Sequence, residues 1–407
     1  MLNLEDPKKF SALTNQAYQV GRNFFRPISR KYDKAEHEVP VELEMLSAMM
    51  EGMNASGAVP GGAGATAASQ RGGDAVAAQT AGVRNGSNMS TVLGVIELCY
   101  GDVGLLLSIP RQGLGNAAIA AVANEEQLKR FDGVWAAMAI TEPGCGSDSA
   151  AIRTTAVKDG DDYVLNGEKI YVTAGARAQA VVVWATLDRS LGRAAIKSFV
   201  VEKGTPGMEV VRQEHKLGIK ASDTAAITFT NCRVPARNLL GNPEIDVKQG
   251  FAGVMQTFDN TRPLVAGMAL GVAKAAIERT KEILSPHMPK PYSRALALVP
   301  AFEAEIYKME AEWEAARLLT LKAAWMADNK QPNSMEASMA KAKAGRMANH
   351  VTLKCVELCA AVGYAEDELL EKWARDSKIL DIFEGTQQIQ LLIVARRLLG
   401  KTSAELK

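Results

Sequence analysis

The chain contains 407 residues, of which 47% are hydrophobic, 23% charged and 6% aromatic. These fractions are typical of a globular protein, and they exclude a disordered chain, a collagen-like repeat and a disulfide scaffold. At this length we expect two or three domains with a core that needs no metal or disulfide. The 47 Lys and Arg residues balance the 46 Asp and Glu residues, so the overall charge would attract neither nucleic acid nor an anionic membrane.

Neither the cysteines nor the histidines have the spacing of a local metal-binding motif. The five cysteines include no CxxC pair, which favours a reducing compartment, the cytoplasm, over a secretory route. The histidines are His37, His215, His287 and His350. They form no HxxH or HExxH motif, so we expect surface histidines and no zinc site. Met1–Phe10 is charged and has no apolar core, so it is not expected to be a signal peptide.

Residues 1–132 are predicted to form a helical domain. Apolar residues recur at helical spacing in Val41–Met53 and Glu125–Phe131. Between them, Ser56–Asn88 is rich in Gly, Ala and Ser and poor in large apolar side chains, which predicts a crossing loop or flap. The uncharged run Gly52–Gln70 lacks the large apolar residues of a membrane span, so we expect a loop there.

Residues 133–243 change to a period of two, which predicts an antiparallel β-barrel or sandwich. Asn166–Gly167 lies between two β-rich runs, and this dipeptide is a strong signal for a hairpin turn. Further strands are predicted at Ala180–Ala185, Ile196–Val201, Met208–Arg212 and Ala225–Phe229.

The helical period returns in residues 244–407, where the predicted segments have lengths suited to an antiparallel four-helix bundle. These segments are Leu264–Leu284, Val299–Asp328, Ser334–Ala361 and Gln388–Leu399. The predicted fold class is therefore α+β, with an N-terminal helical domain, a central β-domain and a C-terminal four-helix bundle.

The segment Ala139–Asp148, at the entry to the β-domain, is the first candidate for chemistry. Gly144 and Gly146 would let backbone N–H groups approach a ligand, and Thr141 and Ser147 add hydroxyl groups. Such a loop can hold carbonyl or phosphate oxygens. The alternative is an ordinary turn built from turn-forming residues.

Tyr171 and Thr173 are the second candidate. Residues two apart on a strand face the same side, so a ring would lie against a flat cofactor with a hydroxyl beside it. The alternative is a half-buried strand tyrosine.

Glu384 is the third candidate, because it lies between Phe383 and Gly385 just before a predicted helix. Burial would raise the pKa of this carboxyl group, as suits a base that takes a proton from carbon. The alternative is an exposed glutamate at a helix N-terminus, with Thr386 as the cap.

Taken together, these patterns resemble the acyl-CoA dehydrogenase family. The segment Thr141–Asp148 has the specific pattern Thr-Glu-Pro-x-x-Gly-Ser-Asp, and it precedes the other two patterns in the expected order. Three further segments support the resemblance: Lys216–Thr224, Cys232–Gly241 and Phe258–Pro263. The resemblance extends from about residue 90 to the C-terminus.

The resemblance implies an FAD-dependent oxidoreductase that converts an acyl-CoA to the trans-2-enoyl-CoA in fatty acid β-oxidation. Glu384 would remove the α-proton, the β-hydrogen would leave as hydride to flavin N5, and electrons would pass to an electron-transfer flavoprotein. Some family branches place the base near Arg262, but the residue there is Thr261, which is no base at neutral pH.

The resemblance also implies which residues contact the ligands. Those implied for FAD are Met138, Ile140, Thr141, Gly146, Ser147, Tyr171, Val172, Thr173, Thr386 and Gln388. Those implied for the acyl-CoA are Ser147, Asp259, Arg262, Phe383 and Gly385. Tyr171 would lie against the isoalloxazine, Thr173 near N5, and Thr386 at the pyrophosphate. No metal is expected.

Two motifs that many family members lend to a neighbouring subunit's FAD are altered. Ser285–Tyr292 replaces an Arg-x-x-Phe-Gly motif, and Glu357–Ala361 replaces Gln-x-x-Gly-Gly. A carboxylate at Glu357 would repel a pyrophosphate. We therefore expect a homo- or hetero-tetramer, with this chain as the catalytic subunit of a heteromer as one hypothesis. The Gly/Ala-rich segment Ser56–Asn88 is also longer than the family's usual loop, with no assigned role.

Two other functions remain open at this point. One is a non-catalytic subunit that completes a partner's site, and Glu384 together with the intact first loop argues against it. The other is a flavin oxidase on the same fold, where the base is often Asp, so Glu384 favours the dehydrogenase.

Overall fold

The structure is a computed structural model that describes residues 6–54, 85–110, 114–245, 252–288, 290–293, 295, 298–402 and 405–406. Most of the predicted flap, up to residue 84, lies outside the described residues. Its last part is described, and there Ser87 and Asn88 already belong to a helix.

Seven helices occupy the described residues before the sheet, two of them joined by a π-helical turn, Gly21–Phe25. They are α1 (Ser11–Val20), α2 (Arg26–Lys34), α3 (Val41–Asn54), α4 (Ser87–Gly101), α5 (Val103–Leu106), α6 (Leu114–Val122) and α7 (Glu125–Arg130). The start of α7 is fixed by a capping box between Asn124 and Gln127. The Asp328 carboxylate accepts hydrogen bonds from the Gly86 and Asn88 N–H groups and so caps α4.

Seven strands form one curled sheet in the order β1-β4-β2-β3-β7-β6, with β5 also paired to β4. They are β1 (Ala136–Ala139), β2 (Thr155–Asp159), β3 (Asp162–Thr173), β4 (Ala180–Thr186), β5 (Ile196–Glu202), β6 (Met208–Gln213) and β7 (Thr224–Pro235). Most pairs are antiparallel, but β1 and β2 run parallel to β4. Strand β4 is buried on both faces, since Val181 and Val183 enter one apolar cluster and Val182 and Trp184 enter another.

The predicted hairpin at Asn166–Gly167 is wrong. Strand β3 continues through this dipeptide, and the turn between β2 and β3 is Gly160–Asp161. At Gly167 the pairing of β3 with β7 is irregular, φ is 151°, and a Cβ atom would lie 2.5 Å from the Thr154 Oγ1. The glycine is needed because two segments approach closely at a bulge, which uses the same residue types as a turn.

Helices return after the sheet, and they form the C-terminal bundle. They are α8 (Ala252–Leu284), α9 (Ala301–Asp328), α10 (Ser334–Leu358), α11 (Ala360–Tyr364), α12 (Leu370–Ser377) and α13 (Gln387–Leu399). The predicted helix Ser334–Ala361 is interrupted at Cys359, where Ala360 has a φ of 48°. Helix α4 also packs on α8, so an N-terminal helix completes the core of the bundle.

The predicted α+β architecture is confirmed, with helices, a central curled sheet and helices again in chain order. No helix among the described residues is long and apolar enough to cross a membrane.

A buried ion triad connects the three parts of the fold. Lys372 is 1% exposed, and its Nζ lies 2.7 Å from the Asp102 Oδ2 and 2.5 Å from the Asp376 Oδ2. Asp102 also accepts a hydrogen bond from the Ser29 hydroxyl. The Ile219 N–H donates to the Asp376 Oδ1 over 2.6 Å. Burial alone would lower the pKa of Lys372, but the two carboxylates hold it above its usual value.

Replacing Lys372 by Met is expected to lower the free energy of unfolding by about 3–5 kcal/mol, because two buried carboxylates lose their counterion. Urea unfolding followed by tryptophan fluorescence measures this loss. The matched control is Lys354→Met, which removes a surface pair with Glu357 and should change stability by less than about 1 kcal/mol. Equal small losses in both variants would contradict the central role of the triad.

Candidate functional site

Glu142 fixes the base of the loop Thr141–Ser147. The side chain is 6% exposed, and its carboxylate accepts hydrogen bonds from the Arg153 N–H, the Thr154 N–H and hydroxyl, and the Lys169 ammonium. Burial raises the pKa of Glu142, but the charge and hydrogen bond of Lys169 outweigh it and hold the pKa below its usual value. The loop therefore rests on an ionised carboxylate buried against β3.

The outer part of this loop faces open space. The backbone groups of Glu142 and Cys145 exchange two hydrogen bonds of 2.9 and 3.1 Å, which close the turn. Gly146 and Ser147 are exposed, and a Cβ atom on Gly144 would meet nothing within 4 Å. The loop is thus a turn, as the alternative interpretation has it, but a turn with room for a ligand above it.

Strand β3 brings the second candidate next to the loop. The Ile170 N–H donates to the Thr141 carbonyl over 2.9 Å. The following residue, Tyr171, has a φ of 57° and is 63% exposed, so it is not the half-buried strand tyrosine of the alternative interpretation. Val172 is buried in the core, which leaves only its backbone for ligand contact, and Thr173 is half-buried. A left-handed non-glycine residue costs about 1–3 kcal/mol, which indicates a functional constraint at Tyr171.

Glu384 lies at a second strained turn, between α12 and α13. Its φ is 57° and that of Gly385 is 94°. The Thr261 hydroxyl, on α8, donates to the Glu384 Oε2 over 2.8 Å. Burial raises the pKa of Glu384 above its usual value, and the Thr261 hydrogen bond and the charges of Arg262 and Lys341 oppose this only in part.

Lys341 holds the carbonyl side of this turn, a role that the sequence analysis did not predict. Its side chain is 0% exposed, and its Nζ donates to the Gly385 carbonyl over 2.7 Å. The Gln390 Nε2 donates to the Glu384 and Gly385 carbonyls over 3.0 and 3.1 Å. In a trans peptide the N–H points opposite to the carbonyl, so the Gly385 and Thr386 N–H groups point away from Lys341 and Gln390. Burial lowers the pKa of Lys341 to about 8.

The remaining predicted residues have mixed placements. Thr386 caps α13, since its hydroxyl oxygen accepts from the Ile389 N–H over 3.4 Å, as the alternative interpretation predicts. Arg262 is buried, and its charge acts on Glu384. Phe383 and Gly385 flank Glu384 in the chain, and Phe383 packs on the core of the bundle. Gln388 is exposed in the first turn of α13, and Met138 and Ile140 are half-buried beside the loop. The Asp259 backbone belongs to α8, but its side chain lies outside the described residues.

Two family models match this chain. Residues 137–232 match "Acyl-CoA dehydrogenase, middle domain" and residues 248–399 match "Acyl-CoA dehydrogenase, C-terminal domain". The short-chain specific acyl-CoA dehydrogenase, mitochondrial, of Bos taurus is 40% identical over 261 residues. That match covers 64% of this chain and 62% of the relative, so the chain aligns with about three fifths of the relative's length.

Solved structures match over almost the whole chain. The structure of butyryl-CoA dehydrogenase from Megasphaera elsdenii has a TM-score of 0.80 and 28% identity, and the match covers 98% of this chain and 100% of that one. A chain from "Electron transferring flavoprotein of Acidaminococcus fermentans: Towards a mechanism of flavin-based electron bifurcation" has a TM-score of 0.79 and 29% identity, with the same coverage.

Replacing Glu384 by Gln is expected to raise the melting temperature, and the gain should grow as the pH rises. Burial holds the folded pKa of Glu384 above its unfolded value, so stability present below the unfolded pKa is lost as the pH rises through the folded pKa. Glutamine carries no charge to desolvate and so avoids this loss. Melting curves of both proteins between about pH 5 and pH 8 measure the difference.

The matched control for this measurement is Glu357→Gln, since Glu357 pairs with Lys354 at the surface and carries no buried charge. A gain in melting temperature that is the same at every pH would show that the ionisation of Glu384 is not its cause.

Proposed function

This chain belongs to the acyl-CoA dehydrogenase family, and we propose that it oxidises a short acyl-CoA thioester to the trans-2-enoyl-CoA, with FAD as its cofactor. The observation that carries the proposal is the Glu384 carboxyl group, which is desolvated, bonded to the Thr261 hydroxyl and held on a strained turn.

Glu384 is the proposed base. The α-proton of a thioester is weakly acidic, and a carboxylate whose pKa is raised towards neutrality takes it more readily than an ordinary one. Thr261 is not a base. Its hydroxyl donates a hydrogen bond to this carboxylate and so fixes the rotamer of Glu384 before the substrate binds. As in the family, the Glu384 backbone N–H would donate to the thioester carbonyl and stabilise the enolate that develops there.

The residues of the loop and of β3 fit a flavin. The exposed ring of Tyr171 offers a flat apolar surface, and the hydroxyls of Thr141, Ser147 and Thr173 offer polar contacts around it. The N-terminus of α13, which has 13 residues, favours a pyrophosphate group beside Thr386 and Gln388. When bound there, FAD supplies the acceptor for the β-hydrogen.

The acyl group is proposed to be short. Helices α4 and α8 pack so closely that a Cβ atom on Gly271 would lie 2.3 Å from the Ile96 carbonyl oxygen. Helix α8 carries Thr261, which contacts the proposed base Glu384, and it continues from there to its contact with α4. Buried Val92 and Val265 belong to the core of these helices. A long acyl chain entering between these helices would have to displace close-packed side chains. The names of the relatives, short-chain and butyryl-CoA dehydrogenases, support the same size class.

We propose an electron-transfer flavoprotein as electron acceptor and a homo- or hetero-tetramer as the assembly. In a heteromer, a second dehydrogenase chain would supply the motifs that Ser285–Tyr292 and Glu357–Ala361 replace. Glu357 is exposed at the end of α10 and pairs with Lys354, so its carboxylate faces outwards. All five cysteines are free thiols, which supports a reducing compartment, the cytoplasm.

The purified chain is expected to show the visible absorption of bound oxidised flavin and to oxidise butyryl-CoA with a dye as acceptor. Glu384→Gln should lower kcat by about 10²–10⁴-fold, because it removes the base, while flavin content and butyryl-CoA affinity survive. Glu357→Gln is the matched control and should keep its turnover. Full turnover in Glu384→Gln would contradict the proposal. A colourless chain that gains flavin and activity only with a second dehydrogenase chain would select the heteromer.

Lys341→Met is expected to lower kcat by about 10- to 100-fold, since the turn that carries the base loses its support. It should also move the acidic limb of the kcat profile to higher pH. Lys341 lowers the pKa of Glu384 through its charge, so removing that charge raises this pKa. Steady-state rates measured across pH test both effects.

Two further variants test whether Lys341 acts through its charge. Lys341→Arg keeps the charge and should keep the position of the acidic limb. Lys343→Met, two residues along the same helix, removes a more exposed lysine paired with Glu312 and should change neither quantity. A loss of rate with an unmoved pH profile would show that Lys341 supports the fold and not the base.

A further inference from the structure

We propose that Glu36, His37 and His215 form a binding site for a divalent transition-metal ion, with zinc as the best fit. The site is separate from Glu384 and does not rest on the proposed function. The sequence gives no local zinc motif, because His37 and His215 are 178 positions apart. Only the folded chain brings them together.

Two of the three spacings between the ligand atoms match tetrahedral coordination. The His215 Nδ1 lies 3.2 Å from the Glu36 Oε2 and 3.4 Å from the His37 Nε2. In a tetrahedral zinc site with bonds of about 2.0–2.1 Å, ligand atoms lie about 3.3 Å apart. The third pair lies within 4.8 Å, so a small movement of one side chain would complete the geometry.

Hydrogen bonding alone cannot satisfy this arrangement well. The His215 Nδ1 faces two other atoms, and it has either one hydrogen or one lone pair to offer. If it donates to the Glu36 carboxylate, it can only share the same hydrogen with the His37 nitrogen. A cation placed among the three atoms would instead accept a lone pair from each.

The backbone holds these ligands before any ion binds. Glu36 and His37 follow the end of α2, and His37 has a φ of 75°, a left-handed conformation that turns its ring towards the sheet segment. The two imidazole rings have centroids 4.7 Å apart at 64°. His215 follows β6, so an ion at this site would connect the N-terminal helices to the β-domain.

Glu36 brings a negative charge to the site, and two nearby lysines compete with a metal ion for it. The Lys216 N–H donates to the Glu36 Oε1 over 2.8 Å, which helps to hold the carboxylate in place. The Lys220 Nζ lies 3.6 Å from the Glu36 Oε2 and would have to move away. The Lys216 Nζ lies 4.0 Å from the other oxygen and is already held by the Ser222 carbonyl. Lys220 is therefore the main competitor.

The donor set selects the class of ion. Two imidazole nitrogens and one carboxylate oxygen suit zinc, copper or nickel, whereas magnesium and calcium prefer oxygen ligands alone. His215 is 83% exposed, so water can take the fourth position. This composition is that of an open three-ligand site.

Isothermal titration calorimetry of the full chain, free of any histidine tag, with zinc chloride is the test. We expect one zinc ion per chain, with binding weakened about tenfold or more in His37→Ala and in His215→Ala. Zinc should also raise the melting temperature of the unmodified chain and not of these variants. Lys220→Ala should bind zinc more tightly than the unmodified chain, because the competing ammonium is gone.

The matched control is His350→Ala, which removes an exposed histidine on α10 and should leave the affinity unchanged. Melting in EDTA should show that all variants are folded equally. Absence of zinc binding to the unmodified chain would overturn the proposal. Equal zinc binding in His37→Ala and His215→Ala would also overturn it, because the ion would then occupy another site.

Discussion

The arrangement of the N-terminal helices, the sheet and the C-terminal helices depends on one buried lysine, Lys372, between Asp102 and Asp376. Removing three charged groups from water costs several kcal/mol for each, and only their close contact and further hydrogen bonds offset this. Those further bonds come from Ser29 in the N-terminal helices and from the Ile219 backbone beside the sheet. The triad is thus satisfied only when all three domains are in place. Because Asp376 lies close before Glu384 in the chain, the triad also anchors the segment that leads to the proposed base.

The order of helices, sheet and helices could be predicted because it depends on local patterns. Apolar residues at helical spacing predicted α9 and α13 to within two residues, and short runs rich in β-branched residues predicted β4 and β5. Glu384 was identified from its neighbours in the chain. The hydrogen bonds of Thr261 and Lys341 to this turn could not be predicted, since these residues lie 123 and 44 positions from their partners and nothing local indicates the contacts. A lysine among the buried alanines of α10 was the only available signal.

The wrong hairpin in the β-domain and the strained backbone of Tyr171 have a common physical cause. Asn166–Gly167 and Tyr171 both lie where the pairing of β3 with β7 is irregular. A bulge needs the same permissive backbone as a turn, so the residue types cannot distinguish the two. The second irregularity is informative for function, because Tyr171 accepts a strained backbone and an exposed ring together. Packing alone would favour an unstrained backbone and a buried ring.

The segment Lys216–Thr224, which supported the family resemblance without an assigned role, has a structural role. The Lys216 N–H donates to Glu36 in the N-terminal helices, and the Ile219 N–H donates to Asp376 in the bundle. The Asp223 carboxylate accepts from the Ala176 N–H within the β-domain. One short segment therefore contacts all three domains through buried or half-buried polar groups, each of which would lose its partner if a domain moved. The proposed flavin contacts lie on β3, and the proposed base lies in the C-terminal bundle. This segment and the Lys372 triad together hold these two parts of the site in fixed positions relative to each other.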